Sequence, residues 1–116
     1  MRISIEKLDA SLRQSLAVLL QDKRLVVLEE VLGDEAELYI VGGTLRDCFL
    51  GKEVKDLDLA CFFEAGVVLE KLESAGIRVI PTGLQHETVT ALPFPEMDAV
   101  EITTFRAGRY LSLIHI

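Results

Sequence analysis

The stretch Y-I-V-G-G-T-L-R-D-C-F-L-G-K-E-V-K-D-L-D, residues 39–58, decides how this chain reads. Tyr39, Ile40 and Val41 form a short apolar run with the character of a buried strand. Gly42 and Gly43 follow, and a sharp turn from strand into helix is where glycine's backbone freedom is needed. The segment 43–50 reads as a short helix carrying Arg46 and Asp47, closed by Gly51. Asp56 and Asp58 then open a second apolar run, Leu57, Leu59, Ala60 and Cys61. This order sets a glycine turn beside two carboxylates that point the same way.

Working outward from that stretch, residues 5–20 place Ile5, Leu8, Leu12, Leu16, Leu19 and Leu20 at three- and four-residue spacing, which predicts an amphipathic helix. The pattern repeats over 22–32 with Leu25, Leu28, Val31 and Leu32, and Gly33 stops it. Residues 37–41 and 57–63 are expected as strands, and 65–75 as a helix ended by Gly76. Strands follow at 77–80, at 86–92 with its alternating H-E-T-V-T-A-L, and at 99–105, with Pro93 and Pro95 breaking the chain between the last two. Strand–helix–strand alternation with a β-rich end gives an α/β or α+β domain with a mixed sheet backed by helices.

Composition narrows the function classes. The 116 residues suffice for one domain with one modest core. No apolar run reaches the roughly 18–20 residues of a membrane span, and the charged N-terminus M-R-I-S-I-E-K-L-D-A lacks a signal-peptide core. The cytosol is therefore the expected compartment. Cys48 and Cys61 have no metal-ligand spacing and read as two buried thiols. The formal charge of −7, from 12 Lys and Arg against 19 Asp and Glu, excludes a strong independent grip on nucleic acid, whose backbone is held by cations.

Each chemical motif has two readings. Glycines at a helix start let phosphate approach backbone N–H groups, and they also suit an ordinary strand–helix turn. Asp56 and Asp58 lie two apart at a strand start, so they share a face while Leu57 turns to the opposite, buried side. Hard oxygen ligands on one face suit Mg²⁺, especially where substrate phosphates complete the octahedron; a solvated acidic strand start has the same pattern. The fork of Arg46 suits phosphate oxygens, and Arg46 with Asp47 equally suits a brace of helix against strand. Alternation puts Glu101 with Thr103 and Phe105 on one face of its strand, so Glu101 is either a third carboxylate beside the aspartates or an exposed edge residue. His86 fits a structural hydrogen bond or a phosphate or ribose contact.

Taken together, G-G-T-L-R-D at 42–47, K-D-L-D at 55–58, T-G-L-Q-H-E-T-V-T at 82–90 and E-I-T-T-F-R at 101–106 resemble the head domain of class II CCA-adding enzymes and bacterial poly(A) polymerases. The resemblance covers roughly residues 30–110. It implies a polymerase-β-like nucleotidyltransferase fold and Mg²⁺-dependent transfer of AMP or CMP from ATP or CTP to an RNA 3′ end, with tRNA as the expected primer. Gly42, Gly43 and Arg46 would then contact the triphosphate, with Arg106 as a phosphate or RNA contact. Asp56 and Asp58 would hold the catalytic Mg²⁺, with Glu101 as a third acid. Glu87 departs from the family, which often has glycine after the histidine.

The resemblance also sets the expected domain organisation: N-terminal helices over 1–33, the head domain over 34–110, and 111–116 as a tail foreign to the family. Family members continue into helical neck, body and tail regions with a D-x-x-R-R-D segment and the base-choosing residues, so an isolated head is expected to be catalytically incomplete. Two other readings stay open. One is a non-catalytic or partner-dependent interaction module, favoured by the acidic charge. The other is transfer of a nucleotide to a protein or small molecule.

Overall fold

Leucines at helical spacing supply one layer of the structure and β-branched residues the other. The computed structural model describes residues 10–80, 87–105 and 113–115. Helices α1 (Ala10–Leu20), α2 (Lys23–Leu32), α3 (Gly42–Phe49) and α4 (Ala65–Ser74) accompany strands β1 (Tyr39–Val41), β2 (Leu57–Cys61), β3 (Arg78–Ile80), β4 (Thr88–Leu92), β5 (Val100–Thr104) and β6 (Leu113–His115). The strands form one six-stranded sheet in the order β3-β4-β5-β2-β1-β6. The central β2–β5 pair is parallel and the remaining pairs are antiparallel, so the sheet is mixed as expected.

The core lies on one face of this sheet. Leu12, Leu16 and Leu19 of α1, Leu25, Leu28 and Leu32 of α2, Leu45 of α3 and Val68 and Leu72 of α4 pack with Leu57, Leu59, Val89, Val100 and Ile102. Period-2 alternation sends the other side chains of these strands to the opposite face. There Tyr39, Val41 and Ala60 form a separate small cluster with Phe105 against it, and Phe62 meets both the Tyr39 and Phe105 rings edge-on.

Most element boundaries fall within a residue or two of the sequence expectations. Asp22 is the cap of α2 rather than its first residue: its carboxylate accepts the Arg24 backbone N–H at 2.9 Å. The strand expected from residue 37 begins at Tyr39, because Asp34–Ala36 form a 3₁₀ turn and Glu37 has a left-handed φ of 47°. The strand expected over 57–63 ends at Cys61, where the chain bends at Phe62 and Phe63. Residues Leu113–His115, expected to be foreign to the domain, pair antiparallel with β1 as an edge strand. Cys48 and Cys61 are free and buried, and burial pushes the Cys61 thiol up to about 11.

Candidate functional site

The parallel register of β2 and β5 builds the site. Asp58 sits opposite Glu101, and Glu101 sits opposite Thr90 of β4. Residues in register across a sheet present side chains to the same face, so Asp58, Glu101 and Thr90 form a row across three strands on the face away from the helical core. Asp56 precedes β2 by one residue in a bend and is exposed. Leu57 between the aspartates is buried in the core, as the alternation predicts. All four polar residues, with Gly43, Thr44, Arg46, Asp47, Leu57 and Ala99, line a cleft of about 360 Å³. A larger hollow of about 590 Å³ between α1 and the loop after α3 has none of these acids around it.

The two glycines do something the sequence does not announce. Gly42 has φ +59°, and a Cβ there would lie 2.6 Å from Asp58 Oδ2. Only glycine meets both conditions, since the left-handed backbone and the carboxylate each exclude a side chain. The Gly43 backbone N–H donates to that same Asp58 carboxylate. The first turn of α3 leaves its N–H groups without helical partners, and Asp58 satisfies one of them from the neighbouring strand. Three influences then act on Asp58: burial raises its pKa, the Gly43 N–H lowers it, and the Asp56 charge raises it. The balance holds the carboxyl above its ordinary range.

Thr44 carries a role that residue spacing does not assign to it. Its side chain is buried; the hydroxyl accepts the Asp58 backbone N–H at 2.6 Å and donates to the Asp56 carbonyl at 3.1 Å. One hydroxyl on α3 thus fixes the backbone on both sides of Leu57, and with it the directions of both aspartates. Its position inside G-G-T-L-R-D was the available signal, but a threonine in that place reads as an ordinary helix residue.

The remaining expected residues divide as follows. Arg46 is exposed, one terminal nitrogen lying 3.5 Å from where a Gly43 Cβ would stand, so its guanidinium overhangs the glycine turn. Among the described residues neither Arg46 nor Asp47 forms an ion pair that would brace helix against strand. Glu101 is exposed at the cleft. Arg106 and His86 lie outside the described residues.

The donor chemistry fits a hard divalent cation. Mg²⁺ is commonly held by one or two carboxylates, with waters and substrate phosphates completing its shell, and Asp56 and Asp58 supply two on one cleft wall. A carboxyl with a raised pKa beside a like charge is also a group that a cation relieves. Among the described residues no three acids stand close enough to form a ready-made metal cage, so Glu101 joins the cleft but not a closed three-ligand cluster.

Residues 38–113 match the Poly A polymerase head domain. The chain belongs to that family. The CCA-adding enzyme of Lactococcus lactis subsp. lactis strain IL1403 is 37% identical over 81 residues, which are 69% of this chain and 19% of the relative. The CCA-adding enzyme of Leuconostoc citreum strain KM20 is 36% identical over 80 residues, 69% of this chain and 18% of the relative. The chain thus spans about a fifth of the length of these relatives. Among solved structures, the Thermotoga maritima CCA-adding enzyme complexed with tRNA_CCA superposes with a TM-score of 0.63 at 22% identity, covering 84% of this chain and 24% of that one. A tRNA nucleotidyltransferase complexed with a primer tRNA and an incoming ATP analog gives 0.53 at 27% identity, over 72% of this chain and 24% of its own. The head-domain chain therefore has the nucleotidyltransferase fold expected from its motifs, with the matched region spanning α3 and every strand that lines the cleft.

Proposed function

We propose that this head domain is the nucleotide-and-metal half of an RNA nucleotidyltransferase that transfers AMP or CMP from ATP or CTP to an RNA 3′ end, with tRNA as the primer. The observation that carries the reading is the Asp58–Glu101 register pair, with Asp56 beside it, facing the glycine turn of a poly(A) polymerase head domain. In this reaction the RNA 3′-oxygen forms a bond to the α-phosphorus, the α–β phosphoanhydride breaks, and pyrophosphate leaves. Asp56 and Asp58 are the residues to hold Mg²⁺, which when bound supplies charge neutralisation and favours the ionised attacking hydroxyl. Arg46 at the rim, with its planar fork, binds and orients the triphosphate, and Arg106 is assigned a phosphate or RNA contact from its motif. Gly42 and Gly43 keep the cleft wall open for phosphate while seating Asp58. Glu101 is assigned as the third acid, on the adjacent strand β5.

The acidic balance of −7 supports a division of labour in which RNA is gripped by surfaces other than this domain. Nucleotidyl transfer needs primer, nucleotide and metal held together, so ligand binding rather than turnover is the direct test. The cytoplasm is the assigned compartment; among the described residues no helix is long and apolar enough to cross a membrane. ATP with Mg²⁺ is expected to raise the melting temperature of the chain, and Asp56→Ala with Asp58→Ala to abolish that rise. An unchanged melting curve in the parent chain would overturn the reading. The acidic charge also fits a second reading, a partner-dependent module without nucleotide chemistry, which predicts that unchanged curve.

A further inference from the structure

Arg24, in the first turn of α2, is 2% exposed, a buried cation. Its guanidinium donates to both carboxylate oxygens of Asp22, from Nε at 3.0 Å and Nη2 at 2.8 Å. That pair also explains Asp22: burial raises its pKa, but the Arg24 bonds outweigh burial and hold it below the ordinary range. The remaining nitrogen reaches much farther in sequence. Arg24 Nη1 donates to the Lys55 carbonyl and, at 2.8 Å, to the Asp98 carbonyl.

Those two carbonyls are the leads into the two acid-bearing strands. Lys55 is the covalent neighbour of Asp56, at the end of a stretch, 52–55, with no secondary structure. Asp98 stands three residues before Glu101, also outside secondary structure. One nitrogen of one side chain therefore ties the start of β2 to the start of β5. We propose that Arg24 is a positioning residue for the acids of the cleft, setting the spacing of Asp56 and Asp58 from Glu101 by clamping the backbone on which each strand begins. The proposal rests on the reading of Asp56 and Asp58 as metal ligands.

Packing alone does not account for this residue. A buried ion pair is no more stabilising than well-packed apolar groups of the same volume, because desolvation consumes its Coulombic gain. What an apolar side chain lacks is a planar fork that holds a carboxylate on one edge and two carbonyls on another. Lysine keeps the charge but not the fork.

The test uses the full chain with Arg24→Met, Arg24→Lys, and Val68→Ala in α4, a buried-core variant that takes no part in the Arg24 hydrogen bonds. Mn²⁺ binding is followed by electron paramagnetic resonance at a temperature where circular dichroism shows each variant folded, with Asp58→Asn defining site-specific binding. Arg24→Met is expected to weaken Mn²⁺ binding about tenfold, the scale of losing a group that orients metal ligands, and Arg24→Lys by less. Val68→Ala is expected to lower the melting temperature without moving the Mn²⁺ affinity. Arg24→Met with parent affinity, or Val68→Ala with an equal loss of affinity, would overturn the proposal. Should Arg24→Met not fold, Arg24→Lys decides by the same comparison. If the parent shows no Mn²⁺ binding that Asp58→Asn removes, the metal reading fails on its own, and amide hydrogen exchange decides the clamp. Faster exchange in Arg24→Lys confined to β2 and β5 upholds the clamp, and a uniform rise across the sheet and α4 overturns it.

Discussion

Replacing Thr44 by valine removes one hydroxyl and nearly nothing else, which makes it the sharpest probe of the cleft. The isosteric methyl can neither accept the Asp58 N–H, now bonded at 2.6 Å, nor donate to the Asp56 carbonyl at 3.1 Å. The first loss is the larger. A buried donor left without a partner costs about 1–3 kcal/mol, and the second bond is worth about 1 kcal/mol, part of which water at the exposed Asp56 recovers. The sum is about 2–4 kcal/mol. At roughly 4 °C per kcal/mol for a domain near 116 residues, the melting temperature should fall by about 8–16 °C. Thr44→Ser keeps the hydroxyl and loses one methyl, worth about 0.8 kcal/mol, so it should melt within a few degrees of the parent. The assay is thermal denaturation followed by circular dichroism, with urea denaturation as the check on free energy. The hydroxyl also aims both aspartates, so Thr44→Val should lose most of the stabilisation by ATP and Mg²⁺ while Thr44→Ser keeps it. If Thr44→Val and Thr44→Ser melt together, the hydroxyl does not hold the Asp56–Asp58 backbone and the reasoning fails.

Two further perturbations examine the seating of Asp58. Gly42→Ala should cost more stability than Gly76→Ala: both glycines have positive φ, but only the Gly42 methyl would meet a carboxylate, and adding Asp58→Ala should remove the excess in a double-mutant cycle by urea denaturation. Asp58→Asn should stabilise the chain near neutral pH without metal. The folded pKa of Asp58 is raised, so its contribution is full below the unfolded value of 3.8, is lost as pH rises through the folded value, and leaves a destabilising charge at pH 7. Urea midpoints between pH 3 and 7 should show the advantage of Asp58→Asn shrinking toward acid, and ATP with Mg²⁺ should reverse the order by stabilising only the parent; a constant offset across pH would refute the buried-charge account.

The elements were legible wherever one local rule governed them. Leucine spacing marked α1, α2 and α4, and alternation marked β4 and β5, because burial on one face leaves a period in the sequence. Glu37 was not legible, since a left-handed φ at a glutamate is imposed by the surrounding turn and not by the residue. The pairing of Leu113–His115 with β1 was equally hidden: an edge partner is chosen by what lies next to it in space. Asp56, Asp58 and Glu101 were readable as candidates. That they share one site was readable from the motifs too, but the parallel register that sets Asp58 opposite Glu101 was not, because it pairs two strands about forty residues apart in the chain.

The glycine pair shows best why the site outran its motif. Glycines before a helix suggest an anion cradle, and a cradle is what the structure has, but the anion first held there is the chain's own Asp58. That arrangement sets two demands against each other. Asp58 must stay aimed at the cleft beside Asp56, whose charge opposes its own, and the groups that hold it are neutral: the Gly43 N–H, which donates to its carboxylate, and the Thr44 hydroxyl, which accepts its backbone N–H. Neutral groups can aim an acid without adding a rival cation, so the charge remains available to a metal. Burial first, and the Asp56 charge after it, raise the pKa of Asp58, and the Gly43 N–H offsets only part of that. A lysine in place of Thr44 would lose the hydroxyl that fixes the Asp56–Asp58 backbone and set a rival cation beside the carboxylate, weakening the case for a metal there.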